Sequence, residues 1–472
     1  MTAVIHWFRR DLRIEDNTSL AAAARDHDTV VPVFVLDDHY RRAGDVGPSR
    51  FVFLRESLED LDRRLRKIDG SLIVVPGPAS RALPDLLAAS GASDVYANEE
   101  IGTYPARRDA EARAGLQAMG ARLRLFPDSL AVDPREIATA DGRPYTVFTP
   151  FSKKWRAAEK PRPLPAPASL STPPLRSVPL DRVEAWKDLA ANLRAPRGGE
   201  TEAARALETF LARVGSYAGD RDFPARDGTS RLSAALHFGT VSARTVLDRA
   251  RQKWTDAGPA ERASIEKFAG EMGWREFFHA ILFHFPHVET GAFRREFDGL
   301  AWDEPGDRFA AWTEGRTGYP FIDAAMRQLT AENWMHNRAR MAVASFLTKD
   351  LHVDWQVGAR WFERNLADAD LANNNGGWQW AAGTGADAAP YFRVFNPVLQ
   401  SRKFDPRGEY IRRYVPELAH LSDDAIHAPR HPIVDHASER AEALRRYSRA
   451  AKKTVASRES GEIEEDGKPS RD

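Results

Sequence analysis

The chain has 472 residues, 42% of them hydrophobic and 29% charged, with 68 basic and 68 acidic side chains and no cysteine. That length fits two or three domains rather than one, and the lack of cysteine excludes disulfides, thiolate zinc sites, iron–sulfur clusters and cysteine nucleophiles. No run reaches the roughly 18 apolar residues of a membrane helix. The N-terminal MTAVIHWFRRDLR puts arginines after a short apolar run, the reverse of a signal peptide, so a cytoplasmic location is expected. Balanced charge argues mildly against a nucleic-acid protein, although a local basic patch is enough for binding.

Residues 1–130 alternate short apolar runs with helix-like stretches. The expected strands are Ala3–Phe8, Val30–Leu36, Leu72–Val75, Asp94–Ala97 and Leu123–Phe126. Helices are expected over Thr18–Arg25, Arg50–Lys67, Ala79–Ala89 and Ala106–Met119. Such alternation predicts an α/β domain, a Rossmann-like parallel sheet covered on both faces. No GxGxxG or P-loop follows the first strand; WFRRDLRIEDN stands there instead. Residues 131–200 hold the aromatic YTVFTPFSKKW and then a proline-dense stretch that reads as a linker crossing a surface. Residues 201–450 carry apolar residues at helical spacing and no convincing strand, which predicts an all-helical domain. The charged tail, 451–472, is expected to be disordered.

Four stretches in the helical part have compositions that could carry chemistry. In GTSRLSAALHFGTVS, Thr229 or Ser230 is expected to cap a helix and Ser242 to cap the next; read alone the segment favours plain caps, with a phosphate cradle as the other reading. In EMGWREFF, Glu271, Trp274, Arg275 and Phe278 share one helix face, as a salt-bridged edge or as a site. In ENWMHNRARM, Trp334, Asn337, Arg338 and Met341 are expected to share a face, mixing hydrogen-bonding groups with flat apolar walls suited to a polar heterocycle. The last, LADADLANNNGGWQWAAGTGADAAPYFRVFNP, is poor helix and poor core material, which points to function. Asp368 and Asp370 there lack the glycine and final glutamate of a calcium loop. His279, His284 and His287 fit no common zinc spacing and read as structural, so no metal is expected. Nine of the 12 tryptophans lie between Trp254 and Trp380, mostly as expected core.

WFRRDLRIEDN, YTVFTPF, RDFPARDGTSRLSAAL, WREFF, GYPFIDAAMRQL, WMHNRARM, FLTKDL and DLANNNGGWQWAAGTGADAAPYFRVFNP resemble, in this order, the photolyase–cryptochrome family, and most closely its class I cyclobutane pyrimidine dimer photolyases. The resemblance runs from residue 5 to about residue 416. It implies an antenna domain over 1–130, an interdomain linker over 131–200, a helical FAD-binding catalytic domain over 201–450 and the tail beyond. It implies FAD contacts from Tyr217, Thr229, Ser230, Arg231, Leu232, Ser233, Asn337, Arg340, Asp368, Asp370 and Asn374, with Arg340 pairing Asp368. A flipped-out dimer, the substrate state of photolyases among base-flipping enzymes, would meet Glu271, Trp274, Asn337, Arg338, Met341 and Trp380. The implied activity is a carbon–carbon lyase reaction on ultraviolet-damaged DNA. Excited reduced FAD lends an electron to the dimer, the ring opens and the electron returns.

Trp378, Trp355 and Trp302 match the family's electron relay, while Trp7, Trp312 and Trp361 read as packing. DNA contacts are expected from Arg221, Trp274, Arg338, Arg393 and Lys403, and the protein is expected to be a monomer. Relatives that repair the six-four photoproduct carry histidines where this chain has Asn337 and Met341, and neither of these can titrate, which favours cyclobutane dimers. The alternative is a cryptochrome-type blue-light sensor. Asn374, where such sensors often carry aspartate or cysteine, and the joint presence of Glu271, Trp274 and Trp380 favour repair. The resemblance leaves the antenna site open between deazaflavin, methenyltetrahydrofolate, a second flavin and an empty pocket. Asn98–Glu99 in NEEIGTYPARRD is a folate-type pair out of register, and Gly102 replaces the acidic residue of deazaflavin-binding relatives.

Overall fold

The structure is a computed structural model. It describes residues 2–37, 47–183, 186 and 194–459, with side chains as far as residue 452. These divide into two compact units, Met1–Pro286 with Gln328–Met335 and Arg360–Asn374, and His287–Arg327 with His336–Ala359 and Asn375–Asp472.

In the first unit, β1 (Ala3–Phe8), β2 (Thr29–Leu36), β3 (Ile73–Pro76), β4 (Asp94–Asn98) and β5 (Leu123–Phe126) form one sheet in the order β3-β2-β1-β4-β5. Every pairing is parallel, with Ile5 opposite Val31 on one side and Val95 on the other. Helices α1 (Thr18–Asp26), α2 (Pro48–Arg66), α3 (Ala79–Ser90) and α4 (Thr103–Gln117) connect the strands. The strands are apolar along their length because both faces are covered: Ile5, Val31, Val33 and Val95 are all fully buried. The expected strands and helices are all present, with ends shifted by no more than three residues. Asn17 caps α1 by accepting from the Leu20 amide, and Gly91, at φ +68°, ends α3 in the left-handed conformation that glycine adopts without strain.

The chain then turns helical. It forms α5 (Phe148–Ala157), α6 (Glu200–Leu211), α7 (Tyr217–Asp220), α8 (Ser233–Phe238), α9 (Ala243–Asp256) and α10 (Pro259–His284). Next come α11 (Asp307–Thr313), α12 (Pro320–Glu332), α13 (Asn337–Lys349), α14 (Trp355–Asn365), α15 (Leu371–Ala382), α16 (Pro397–Phe404), α17 (Glu409–Tyr414) and α18 (His436–Glu459). Among the described residues beyond 201 there is no strand, only an isolated bridge between Asp303 and Val353. The proline-dense stretch 161–179 carries neither helix nor strand. Helix α18 runs through the first nine residues of the expected tail, and 460–472 lie outside the described residues.

The loop after β1 is held by four buried charges. Arg13 Nη2 lies 2.5 Å from Asp128 Oδ2, and Arg244 Nη2 lies 2.8 Å from Asp128 Oδ1 and 3.1 Å from Asp16 Oδ1. Ser242, the cap of α9, donates its hydroxyl to Asp16. Gly239, at φ +64°, passes so close to this loop that a Cβ would lie 2.1 Å from the Arg10 carbonyl oxygen. Burial alone would raise the Asp128 pKa, but Arg13 and Arg244 bring it down to about 2. Its stabilising contribution is therefore complete above the ordinary carboxylate value of about 4 and is lost as pH falls through about 2. Replacing Arg244 by Met leaves two buried carboxylates sharing one cation. We expect a loss of about 3–5 kcal/mol at pH 7 in urea unfolding, shrinking as pH is lowered below about 4.

Candidate functional site

In the first unit the segments singled out by composition converge on Asp370, the residue before α15. Its Oδ2 is 3.4 Å from His237 Nδ1 on α8 and 3.5 Å from His279 Nε2 on α10. Its Oδ1 accepts from the Asn373 amide and side chain at 3.0 and 2.7 Å, and its carbonyl from the Asn374 amide at 2.8 Å. Burial alone would raise the Asp370 pKa, yet its bonds and charge interactions with His279 and His237 hold it well below the usual carboxylate range. Asp368, two residues earlier, is also buried. Burial lowers His237 to about 4, so near neutral pH it meets Asp370 as an uncharged hydrogen-bonding group.

The expected phosphate-binding segment lies just before α8. Neither Thr229 nor Ser230 caps this helix: Leu232 occupies the N-cap position and no side chain there accepts from the first turn. The physical reason is local. Arg231 adopts φ +52°, which turns the chain, and Ser230 Oγ accepts instead from the Leu232 amide at 3.4 Å. Arg231 lies 4.2 Å over Trp334 and pairs with Glu332 at 3.3 Å. Ser233 opens the helix, which leaves its first-turn amides and the neighbouring hydroxyls as a donor set suited to a phosphate. Tyr217 is buried on α7, edge-on to Phe210 and Phe268, and burial pushes its phenol pKa well up.

Helix α10 presents Glu271 and Trp274 one turn apart. Glu271 Oε1 pairs with Arg221 Nη1 at 2.5 Å, and its side chain is one-third exposed. Trp274 is half-buried and stacks on Phe148, with ring centroids 3.7 Å apart and planes at 11°. Arg275 turns inward and donates to the Ser129 carbonyl at 3.1 Å.

In the second unit, α13 starts at Asn337, capped by His336, which accepts from the Arg338 amide. Trp334 therefore precedes the helix and belongs to the first unit, so it does not share a face with Asn337, Arg338 and Met341. Those three do come together: Met341 Sδ is 4.0 Å from Asn337 Nδ2 and 3.6 Å from Arg338 Nη1. Arg338 and Lys403 both lie over the Phe404 ring, 4.2 and 5.2 Å from its centroid. Arg340 stands on α13, its amide bonded to the His336 carbonyl. Arg393 accepts from buried Lys349 through its carbonyl, and Trp380 lies 6.3 Å from Phe395.

Trp378 and Trp355 are buried and Trp302 is half-buried, with Trp355 and Trp302 lining one cavity of about 410 Å³. Trp312 is 6.2 Å from Trp378 and fully buried, donating to the Val343 carbonyl, in keeping with packing.

At the carboxyl ends of β1 and β4, Glu100 gathers Arg10 at 2.5 Å, Arg108 at 2.7 Å and Arg9 at 3.7 Å. Asn98 spends its amide inside the fold. It donates to Asp11 and Asn17 and accepts from the Ser19 amide, while Glu99 pairs with Arg135 at 2.6 Å.

Two family models match the chain, DNA photolyase over residues 4–168 and the FAD binding domain of DNA photolyase over residues 268–449. A relative named deoxyribodipyrimidine photo-lyase, from Halobacterium salinarum, is 40% identical over 94% of this chain and 99% of its own length. The chain belongs to the DNA photolyase family. Among solved structures, a bacterial class III photolyase from Agrobacterium tumefaciens superposes with a TM-score of 0.89 at 37% identity, covering 96% of this chain and 98% of its own. An archaeal photolyase from Sulfolobus tokodaii, described with two FAD molecules, gives 0.83 at 33% identity over 95% of this chain and 100% of its own. The fold is thus the family's, a parallel-sheet domain followed by helices, and the chain carries the family's FAD-binding domain. No described helix is long and apolar enough to cross a membrane, and the described residues contain no cluster of three or more metal-ligating side chains.

Sequence reasoning missed the bonds from His237 and His279 to Asp370, and it missed Phe148. The only sequence signal for the histidines was their place within otherwise apolar helical runs. A Cβ on Gly358 would lie 2.2 Å from the Trp378 ring. Gly358→Ala should therefore cost about 1–3 kcal/mol in thermal unfolding and shift tryptophan fluorescence.

Proposed function

We infer that this member of the DNA photolyase family is a light-driven repair enzyme that splits cyclobutane pyrimidine dimers in DNA. The observation that carries the reading is the pairing on α10 of an accessible carboxylate, Glu271, with a half-buried indole, Trp274, beside the Arg221 cation. The name shared by its relatives, deoxyribodipyrimidine photo-lyase, supports the same reaction.

Tyr217, Thr229, Ser230, Arg231, Leu232, Ser233, Asn337, Arg340, Asp368, Asp370 and Asn374 would hold FAD. The uncapped start of α8 and its hydroxyls suit the diphosphate, and the buried Asp370 carboxylate suits a ring N–H. When bound, reduced and excited by light, FAD supplies the electron that opens the cyclobutane ring and takes it back. Glu271 hydrogen-bonds the flipped-out dimer, and Trp274 and Trp380 are apolar walls for its pyrimidines. Asn337, Arg338 and Met341 complete the contact, and neither Asn337 nor Met341 can titrate, which suits a reaction that needs no proton donor. Arg221, Arg338, Arg393 and Lys403 face the phosphates. Trp378, Trp355 and Trp302 grade from buried to half-buried, as a relay towards solvent requires. Residues 1–130 are the antenna domain, 131–200 the linker and 201–450 the catalytic domain of a cytoplasmic monomer. Deazaflavin, methenyltetrahydrofolate, a second flavin and an empty antenna pocket are the alternatives, which an absorption spectrum distinguishes.

Illuminating the reduced holoenzyme with dimer-containing DNA should restore the pyrimidines. Unchanged dimers on both single- and double-stranded substrate would leave the blue-light sensor as the better reading. Glu271→Ala should slow repair more than it weakens dark binding, and an equal loss in both would remove Glu271 from the chemistry. Trp378→Phe should abolish photoreduction of oxidised FAD and spare repair by enzyme reduced beforehand.

A further inference from the structure

The linker helix α5 repeats aromatic residues at Phe148, Phe151 and Trp155, the spacing of one helix face. That face packs against α10 at the turn that carries Trp274. Phe148 covers one face of the Trp274 indole at 3.7 Å, and Phe277 meets both rings edge-on at 5.8 Å. Phe151 packs on Phe277 at 5.2 Å. Trp155 lies over Gly273, where a Cβ would be 3.3 Å from its ring, so the absence of a side chain there permits the close approach.

One buried carboxylate fastens this contact. Glu276, 1% exposed, accepts from the Ala131 and Val132 amides at 2.6 and 3.2 Å and from Trp155 Nε1 at 2.5 Å. Three N–H groups from two places in the linker thus converge on one side chain of α10. Its nearest cations act at longer range: Arg275 on the same helix donates to Ser129, and Lys160 donates to the Trp155 and Ala158 carbonyls. The charge is balanced mainly by oriented N–H dipoles, an arrangement that fixes direction as well as distance.

We propose that Phe148 and Glu276 are positioning residues for substrate recognition: Glu276 locks the linker onto α10, and Phe148 clamps the Trp274 ring so that only its opposite face is offered to a flipped-out pyrimidine. The proposal rests on the assignment of Trp274 as a wall of the dimer site. An indole free to rotate about χ1 and χ2 would lose that freedom on binding; one already held by a stacked ring does not. The linker is then part of the recognition surface and not a tether alone.

The test uses the full-length FAD-containing protein and four variants, Phe148→Leu, Phe148→Met, Phe148→Tyr and Glu276→Gln, with thermal melts to establish folding. Leu and Met are both made so that failure of one to fold leaves the other. The first readout is the near-ultraviolet circular dichroism of Trp274, taken as the difference between each protein and its Trp274→Phe counterpart. The second is dark binding of a dimer-containing oligonucleotide against the undamaged one, followed by repair at limiting and saturating substrate.

In Phe148→Leu and Phe148→Met the Trp274 band should collapse. Dimer affinity should fall about tenfold, the size of one aromatic stack, and undamaged DNA should bind as before. Half-saturating dimer concentration should rise more than the repair rate at saturation falls. Phe148→Tyr should restore both the band and the affinity, and Glu276→Gln should reproduce the loss of the band in part. A Trp274 band that persists in the Leu and Met variants, or equal weakening for dimer and undamaged DNA, overturns the proposal. A parent protein that leaves dimers intact under light, while its Trp274 band still depends on Phe148, overturns the repair assignment and keeps the clamp.

Discussion

The first unit depends on getting two carboxylates and two guanidiniums out of water together. Asp16, Asp128, Arg13 and Arg244 are each less than a tenth exposed, and any one left alone would carry a large desolvation cost. Together they are neutral, and Arg244 bonds both acids. Because Arg13 and Asp16 belong to the loop after β1, Asp128 follows β5 and Arg244 lies in the first turn of α9, the network ties the sheet to α9. Gly239 supplies the steric half of the same constraint. It lets the α8–α9 turn lie against the Arg10 and Asp11 backbone, and Leu12 donates to the Phe238 carbonyl at 3.2 Å. The segment that opens with Ser233 and carries His237 is thereby fixed relative to the sheet.

The same design recurs around the candidate site with different partners. Asp370 is held by two imidazoles and by amides of its own helix, Glu276 by two backbone amides and an indole, and Glu271 by a guanidinium. Carboxylates of one chemical kind therefore have distinct characters. Asp370 stays ionised under strong hydrogen bonding, burial raises Glu276, and Glu271 keeps a third of its side chain in solvent. Only the last can exchange its partner for a substrate without dismantling the fold.

Local signals were legible where the chain itself decides the outcome. The strands of the sheet are short apolar runs buried on both faces, and such runs are visible without knowing the partners. Ser242 as a cap was equally plain, since serine before a helical run acts within three residues. The cap expected at Thr229 or Ser230 failed because a left-handed Arg231 diverts the backbone, and nothing in the composition announces a non-glycine residue at positive φ. Trp334 was placed on the wrong side of a helix start because His336 is an uncommon cap. The role of Phe148 was illegible for another reason: its stacking partner lies more than a hundred residues away, and only the tertiary fold brings the two rings together.

The start of α8 has a consequence for how the protein is assembled. Its first-turn amides are not satisfied by a side-chain cap, and the residue ahead of it sits in a sparsely populated backbone region. A ligand that accepts hydrogen bonds there supplies what a serine or aspartate cap would otherwise provide. Occupancy of that position by such a ligand and the local order of residues 229–238 are then linked. A chain in which that position is filled protects this backbone better than one in which it is not.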